Sequence, residues 1–258
     1  MGSDVSKYET ADKATGASGL AMAPLSGPSL QILQKIPVSA LSTTLTKRGL
    51  PRACMQGVRP VNPNGARMVG RAYTLRYIPS RPDIDTLEAA GRDDGLQRLA
   101  LEQCPHGFVL VIDARGDASA ACAGDTFVSR LMYRACAGIV TDGGLRDASD
   151  IAQLGIPAFF QAPAATPTFV AHHPADLNVP IGCGGVAVYP GDVIVGDGDG
   201  VIVIPHAMLD DVISDALNII EYDEYVQHRL AQEDSLIGLY PATPESRRAF
   251  QAWKGERP

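Results

Sequence analysis

The sequence predicts an α/β protein built as a single three-layer domain, and three observations point there. From Phe108 to Pro180 short apolar runs alternate with segments of helical period. Beyond them, residues 185–189, 192–195 and 201–204 form three short strands separated by Gly, Pro and Asp, and connections this short imply antiparallel neighbours. No linker-like stretch divides the two regions, so the 258-residue chain reads as one domain without internal repeats.

The remaining elements follow in order. Residues 1–28 are polar and rich in Gly, Ser, Ala and Thr, and read as a mobile arm. The domain proper, residues 29–210, opens with a short helix and Ser/Thr-rich sequence over 30–45, then a break at 47–51. Residues 68–77 alternate as a strand. A helical run over 83–103 carries Leu87, Leu96, Leu99 and Leu101 and is interrupted near Gly91. Residues 211–258 form a helical extension, with a helix over 208–230 (Val212, Leu217, Ile220, Val226) and another over 244–253. This extension is expected to pack on the domain or on a neighbouring subunit.

Composition excludes several classes of function. The net charge of -7 leaves no basic stripe to neutralise phosphates, which argues against a nucleic-acid partner. Cys54, Cys104, Cys122, Cys136 and Cys183 are odd in number and lack C-x-x-C spacing, so they read as small buried residues in a reducing compartment. No apolar run is long enough for a membrane span, and no basic leader precedes an apolar core. A cytoplasmic location with no membrane partner is the expectation.

The most informative stretch joins Asp125 to the pair Arg146-Asp147 across twenty intervening residues. Gly124-Asp125 stands where a helix begins, and Phe127, Val128, Leu131, Met132 and Ala135 recur on its apolar face. Gly138 breaks that pattern, Ile139-Val140 reads as a buried strand, and the turn Asp142-Gly143-Gly144 delivers Arg146 and Asp147 to its carboxyl end. In α/β proteins ligands gather at this edge, beside helix N-termini. Two carboxylates and a guanidinium there suit a divalent metal holding an anionic substrate. The plain alternative is an N-cap aspartate and an unrelated surface ion pair.

Other motifs carry less. The run 196–200 alternates Gly and Asp, but Met208 stands where a calcium loop needs its closing glutamate, so a tight turn is expected. Gly182-Cys183-Gly184-Gly185 lacks the strand-turn-helix context of a dinucleotide fingerprint. Neighbouring residues on a strand face opposite ways, so His172 and His173 are read as solvated loop histidines and not as a metal pair. Ser129 and Ser149 have no triad partners at recognisable spacing, and no lysine suits a Schiff base.

Around the Asp125–Asp147 stretch the chain resembles the RraA-like family, including its class II HMG/CHA aldolases (4-hydroxy-4-methyl-2-oxoglutarate / 4-carboxy-4-hydroxy-2-oxoadipate aldolases). The resemblance is carried by residues 107–113, 123–125, 138–147, 155–158, 179–180, 184–185, 189–192 and 199–205 in order, and spans about residues 35–210. It implies a swivelling β/β/α sandwich and a metal-dependent lyase that releases pyruvate from a 4-hydroxy-2-oxo acid, with oxaloacetate decarboxylation at the same site. It further implies Mg²⁺ or Mn²⁺ bound directly by Asp147 and through water by Asp125. Arg146 and Asp125 would then be catalytic, with Gly124, Asp125, Thr126, Phe127 and Arg146 around the substrate. Homotrimers or hexamers are implied as well, with tail aromatics (Tyr222, Tyr225, Tyr240, Phe250, Trp253) crossing onto a neighbour and Glu221, Glu224 or Glu233 reaching its site. Thr126 and Phe127 depart from the two leucines that follow Gly-Asp in many of these aldolases, a change that bears on the pocket wall and leaves the substrate, rather than the metal, open. Some relatives are non-enzymatic regulators that bind and inhibit an RNA-degrading enzyme, and this remains the competing reading.

Overall fold

Runs of Val, Ile, Leu and Phe build the centre of the molecule, which the computed structural model describes over residues 22–255. Helices α1 (Gly27–Leu33) and α2 (Val38–Lys47) lead into β1 (Arg59–Pro60), the long β2 (Met68–Pro79), and the short helices α3 (Leu87–Ala90) and α4 (Leu96–Gln103). The alternating part comprises β3 (Phe108–Asp113), β4 (Ala121–Ala123), α5 (Asp125–Tyr133), β5 (Gly138–Thr141), β6 (Gly144–Leu145), α6 (Ala148–Ile151), β7 (Ala158–Phe160) and β8 (Ala162–Pro163). Strands β9 (His172–Leu177), β10 (Ile181–Cys183), β11 (Val186–Val188), β12 (Val193–Asp197) and β13 (Gly200–Ile204) follow. Helices α7 (Leu209–Leu230) and α8 (Pro244–Gly255) end the described chain.

The main sheet runs β1-β7-β5-β3-β2-β12-β13, with β9 alongside the second half of β2. Strands β2, β3, β5 and β7 are parallel, while β12 and β13 join antiparallel. The Met55 N–H donates to the Val201 carbonyl and the Val203 N–H to Ala53, so the chain before β1 lies along β13 and the sheet nearly closes on itself.

Alternation along each strand divides the core into an inner and an outer set. Val109 and Val111 of β3, Ile194 of β12 and Val201 and Val203 of β13 point into the curl, where Ile181, Cys183, Val186 and Val188 of the β10–β11 hairpin meet them. Phe108, Leu110 and Ile112 point outward to α4 and α5. Val193, Val195, Ile202 and Ile204 point outward to α1, α2 and α7. Hairpin, curled sheet and outer helices make the three layers that the sequence predicts.

The functional edge is held by Asp142, at the carboxyl end of β5. Its buried carboxylate accepts from the Ala114 N–H at 2.7 Å and from the Gly116 and Gly184 N–H groups at 3.1 Å each. One side chain thereby joins β5 to the loop after β3 and to the β10–β11 turn. Gly143 lets these parts close up, since a Cβ there would lie 2.5 Å from Ala114 Cβ and 2.7 Å from Cys122 Sγ.

Several expectations are corrected. Residues 185–189 do not extend a meander: β11 pairs with β10 across Gly184-Gly185, both at positive φ (56° and 74°), and the chain then turns at Pro190 into the main sheet. His172 and His173 lie in β9 rather than in a solvated loop. His172 is buried, stacked on Tyr77 at 5.4 Å, and burial holds its imidazole below the usual value. His173 Nδ1 lies 2.6 Å from Asp85 Oδ1. Of the 1–28 arm, residues 1–21 lie outside the described residues, yet Leu25 is buried and α1 begins at Gly27, capped by Ser26. In the tail, Tyr222, Tyr225 and Phe250 pack into a cluster of the chain's own, with Trp253 against it, and only Tyr240 is exposed.

Asp142→Ala should leave three amides without their acceptor and lower stability by about 2–4 kcal/mol, while Asp142→Asn should lose less. Urea unfolding of both variants measures this; an unchanged midpoint for the alanine variant would refute the role given to Asp142.

Candidate active site

The site residues arrive through a small parallel sheet of order β4-β6-β8, separate from the main one. Ala121 pairs with Gly144 and Ala123 with Leu145, and the Arg146 N–H donates to the Ala123 carbonyl at 3.0 Å. The two strands therefore end together, setting Gly124-Asp125 beside Arg146-Asp147. On the other side β8 pairs with β6, and the Ala164 N–H donates to the Leu145 carbonyl at 2.9 Å. An open pocket results, lined by Leu145, Arg146, Asp147, Pro163, Ala164 and Ala165.

Gly124 is the residue that permits this approach. A Cβ on it would stand 2.9 Å from Asp147 Oδ2 and 3.0 Å from Arg146 Cγ, so any side chain there would collide with the acid and the arginine. Gly124 is also the N-cap residue of α5, whose first turn contains Asp125. Asp125 Oδ1 accepts from the Thr126 N–H at 2.6 Å and stands 3.2 Å from Thr126 Oγ1. The Phe127 N–H donates to the Gly124 carbonyl at 3.1 Å. Of the amides at this helix start, those of Thr126 and Phe127 are thus engaged within the turn itself.

Asp147 has a left-handed backbone, φ 57° and ψ 36°, and caps the short α6 through its carbonyl. Aspartate tolerates that region better than most residues, and such conformations concentrate at functional sites. Arg146 Nε lies 3.3 Å from Asp147 Oδ2, with both side chains partly open to solvent. Carboxylate oxygens and a fixed positive charge at one pocket rim can hold a hard cation and a substrate anion together. Among the described residues, no group of three or more His, Cys, Asp or Glu side chains gathers as a preformed metal cage. A second cavity, between Pro60, Ala66, Ile151 and Phe159, has no ionisable side chain in its lining.

Gly124, Asp125, Arg146 and Asp147 are therefore brought to one edge, with Thr126 and Phe127 on the adjoining helical turn. Sequence reasoning missed Pro163, Ala164 and Ala165 as a pocket wall. Pro163 and Pro167, with Ala164, Ala165 and Thr166 between them, were the available signal. Glu221 is occupied by Lys254 within the tail.

Comparison with known proteins gives the family. A family model described as RraA-like, Aldolase/RraA, matches residues 38–203. A Halalkalibacterium halodurans protein named "Putative 4-hydroxy-4-methyl-2-oxoglutarate aldolase" is 33% identical over 186 residues, covering 71% of this chain and 80% of that protein. A Thermus thermophilus protein named 4-hydroxy-4-methyl-2-oxoglutarate aldolase is 30% identical over 141 residues, 54% of this chain and 77% of its own. The crystal structure of Streptomyces coelicolor RraAS2, described as an unusual member of the RNase ES inhibitor RraA protein family, aligns with a TM-score of 0.71 and 28% identity over 80% of this chain and 98% of its own. The matched span runs from α2 through β13 and includes every strand and turn that builds the Asp125–Arg146–Asp147 edge: the chain belongs to the Aldolase/RraA family.

Proposed function

We propose that the protein is a divalent-metal-dependent carbon–carbon lyase that cleaves a 4-hydroxy-2-oxo acid by a retro-aldol reaction and releases pyruvate. The observation that carries this reading is the convergence of Asp125, Arg146 and Asp147 about Gly124, where a single added carbon would touch two of them. The oxygen donors fit Mg²⁺ or Mn²⁺: Asp147 would hold the cation directly and Asp125 through water. Mg²⁺ keeps several of its waters, so one direct carboxylate suffices. When bound, the cation would supply Lewis-acid polarisation of the 2-oxo group.

The chain's own residues account for the remaining chemistry. A water oriented by Asp125 takes the proton of the 4-hydroxyl, C4 becomes a carbonyl, and the C3–C4 bond breaks. The electron pair left on C3 spreads onto the C2 oxygen, where the Arg146 guanidinium offers a fixed positive charge. Protonation at C3 gives pyruvate. The substrate carboxylate would rest at the amino end of α5, against Gly124 and the Asp125 amide, with Thr126 and Phe127 shaping the wall. Decarboxylation of oxaloacetate passes through the same pyruvate enolate and would use the same groups. The reaction would serve small-molecule metabolism in the cytoplasm.

The likeness to RraAS2 favours a second reading, a regulator that inhibits an RNA-degrading enzyme. A surface that only binds has no need for Arg146 and Asp147 in a pocket wall with Asp125 at the adjoining helix start, so catalysis is preferred. Pyruvate release from a panel of 4-hydroxy-2-oxo acids and oxaloacetate, with and without Mg²⁺, tests the choice. No turnover on the whole panel would leave the regulator.

Asp147→Ala is expected to abolish both turnover and divalent-cation binding with an unchanged circular-dichroism spectrum. Undiminished turnover of the wild type in chelator would overturn the mechanism. Arg146→Lys keeps a charge but loses the planar fork, so kcat should fall roughly a hundredfold. A kcat near that of the wild type would reduce Arg146 to a surface residue.

A homotrimer or hexamer is proposed on the same basis. Leu236, Ile237 and Tyr240 stand exposed on the tail, Ile237 at 92%, and are the apolar groups there for a neighbour to cover. Light scattering should report at least a trimer, and Ile237→Asp with Tyr240→Asp should weaken it. A monomeric wild type would exclude the assembly.

A further inference from the structure

We propose that Thr126 is a positioning residue for Asp125: its hydroxyl and its own N–H close on one carboxylate oxygen and leave the other to the water between Asp125 and the cation. The inference deepens the metal-dependent reading given above and rests on it. Asp125 Oδ1 accepts from the Thr126 N–H at 2.6 Å and from the Thr126 hydroxyl at 3.2 Å. Among the described residues no N–H, hydroxyl or cationic side chain bonds Oδ2. The two acids of the edge therefore differ. Asp147 is met by the charged Arg146, whereas Asp125 is met by neutral donors that leave its negative charge intact.

The surroundings of Thr126 direct its hydroxyl to this acceptor. A threonine in a helix often turns its hydroxyl back to the carbonyls three or four residues earlier. Here those carbonyls belong to β4 and are already taken. That of Ala123 accepts from the Arg146 N–H at 3.0 Å. That of Cys122 accepts from Gln97 Nε2 at 2.7 Å and from the Tyr77 hydroxyl at 3.3 Å. With both occupied, the hydroxyl meets the Asp125 carboxylate instead. Branching at Cβ restricts the threonine to few rotamers, so the donor is itself held. A carboxylate anchored at Oδ1 has less freedom to swing, and even a small misplacement of a group that orients a base is costly.

The test pairs Thr126→Val, which keeps the shape and removes the hydroxyl, with Thr126→Ser, which keeps the hydroxyl. Thr126 is exposed, so neither change is expected to disturb the fold. Mn²⁺ binding to the full chain is followed by the electron-spin signal of the free ion. It should weaken roughly tenfold in Thr126→Val and stay within about twofold of the wild type in Thr126→Ser. The kcat for pyruvate release should fall by about the same factor in Thr126→Val, with KM little changed. In an Asp125→Ala background, Thr126→Val should cost no further Mn²⁺ affinity, because Thr126 acts through that carboxylate. Wild-type behaviour of the valine variant, an equal loss in the serine variant, or additive losses in the double variant would each overturn the proposal. The expected Mn²⁺ pattern without turnover of any substrate would remove the lyase reading and leave the role of Thr126 standing. A wild type that binds no Mn²⁺ would overturn both.

Discussion

The edge that carries the candidate site rests on one buried carboxylate. Asp142 accepts three backbone N–H groups drawn from two separate segments, and the amides of Ala114 and Gly184 would otherwise be buried donors without a partner. Because the acceptor is the residue that follows β5, the turn leading to Arg146 starts from a fixed point. A hydrophobic contact could fill the same space, but it is non-directional and would not hold the β3 loop and the β10–β11 turn at a defined angle.

From that point the geometry follows in two short steps. Parallel pairing of β4 with β6 brings their ends level, and a glycine at position 124 lets them meet without an intervening side chain. Arg146 and Asp147 in the pocket wall and Asp125 beside them thus stand at a strand end and a helix start rather than on long loops, which limits how far each can wander. Arg146 beside Asp147 also gives the carboxylate a counter-charge.

Much of this was legible in the chain, and the failures have physical causes. The β2, β3 and β5 runs and the helix from Asp125 carry clear periods, and Gly124, Asp125, Arg146 and Asp147 stood out through spacing and charge. Strands β4, β6 and β8 are two or three residues long, too short for any period to show, so the sheet that aligns the site was invisible. The role of Asp142 depends on amides 28 and 42 residues away, and local pattern is blind to such distances. His172 was set aside because it and His173 face opposite ways along a strand, whereas tertiary stacking on Tyr77 decides its burial. The tail aromatics could face inward or outward, and Tyr222 meeting Phe250 edge-on at 5.4 Å shows that most face inward.

The left-handed backbone of Asp147 has an evolutionary consequence. Asparagine is the other residue that enters this region readily, and it matches aspartate in size while carrying no charge. A single nucleotide change can exchange the two, so a lineage could lose its hard oxygen anion while keeping the turn, the cap of α6 and the surrounding sheet. Chemistry and architecture are separable at this position. A scaffold with that property can pass from catalyst to binding protein by neutral drift, and the names of its relatives include both an aldolase and a member of a ribonuclease-inhibitor family.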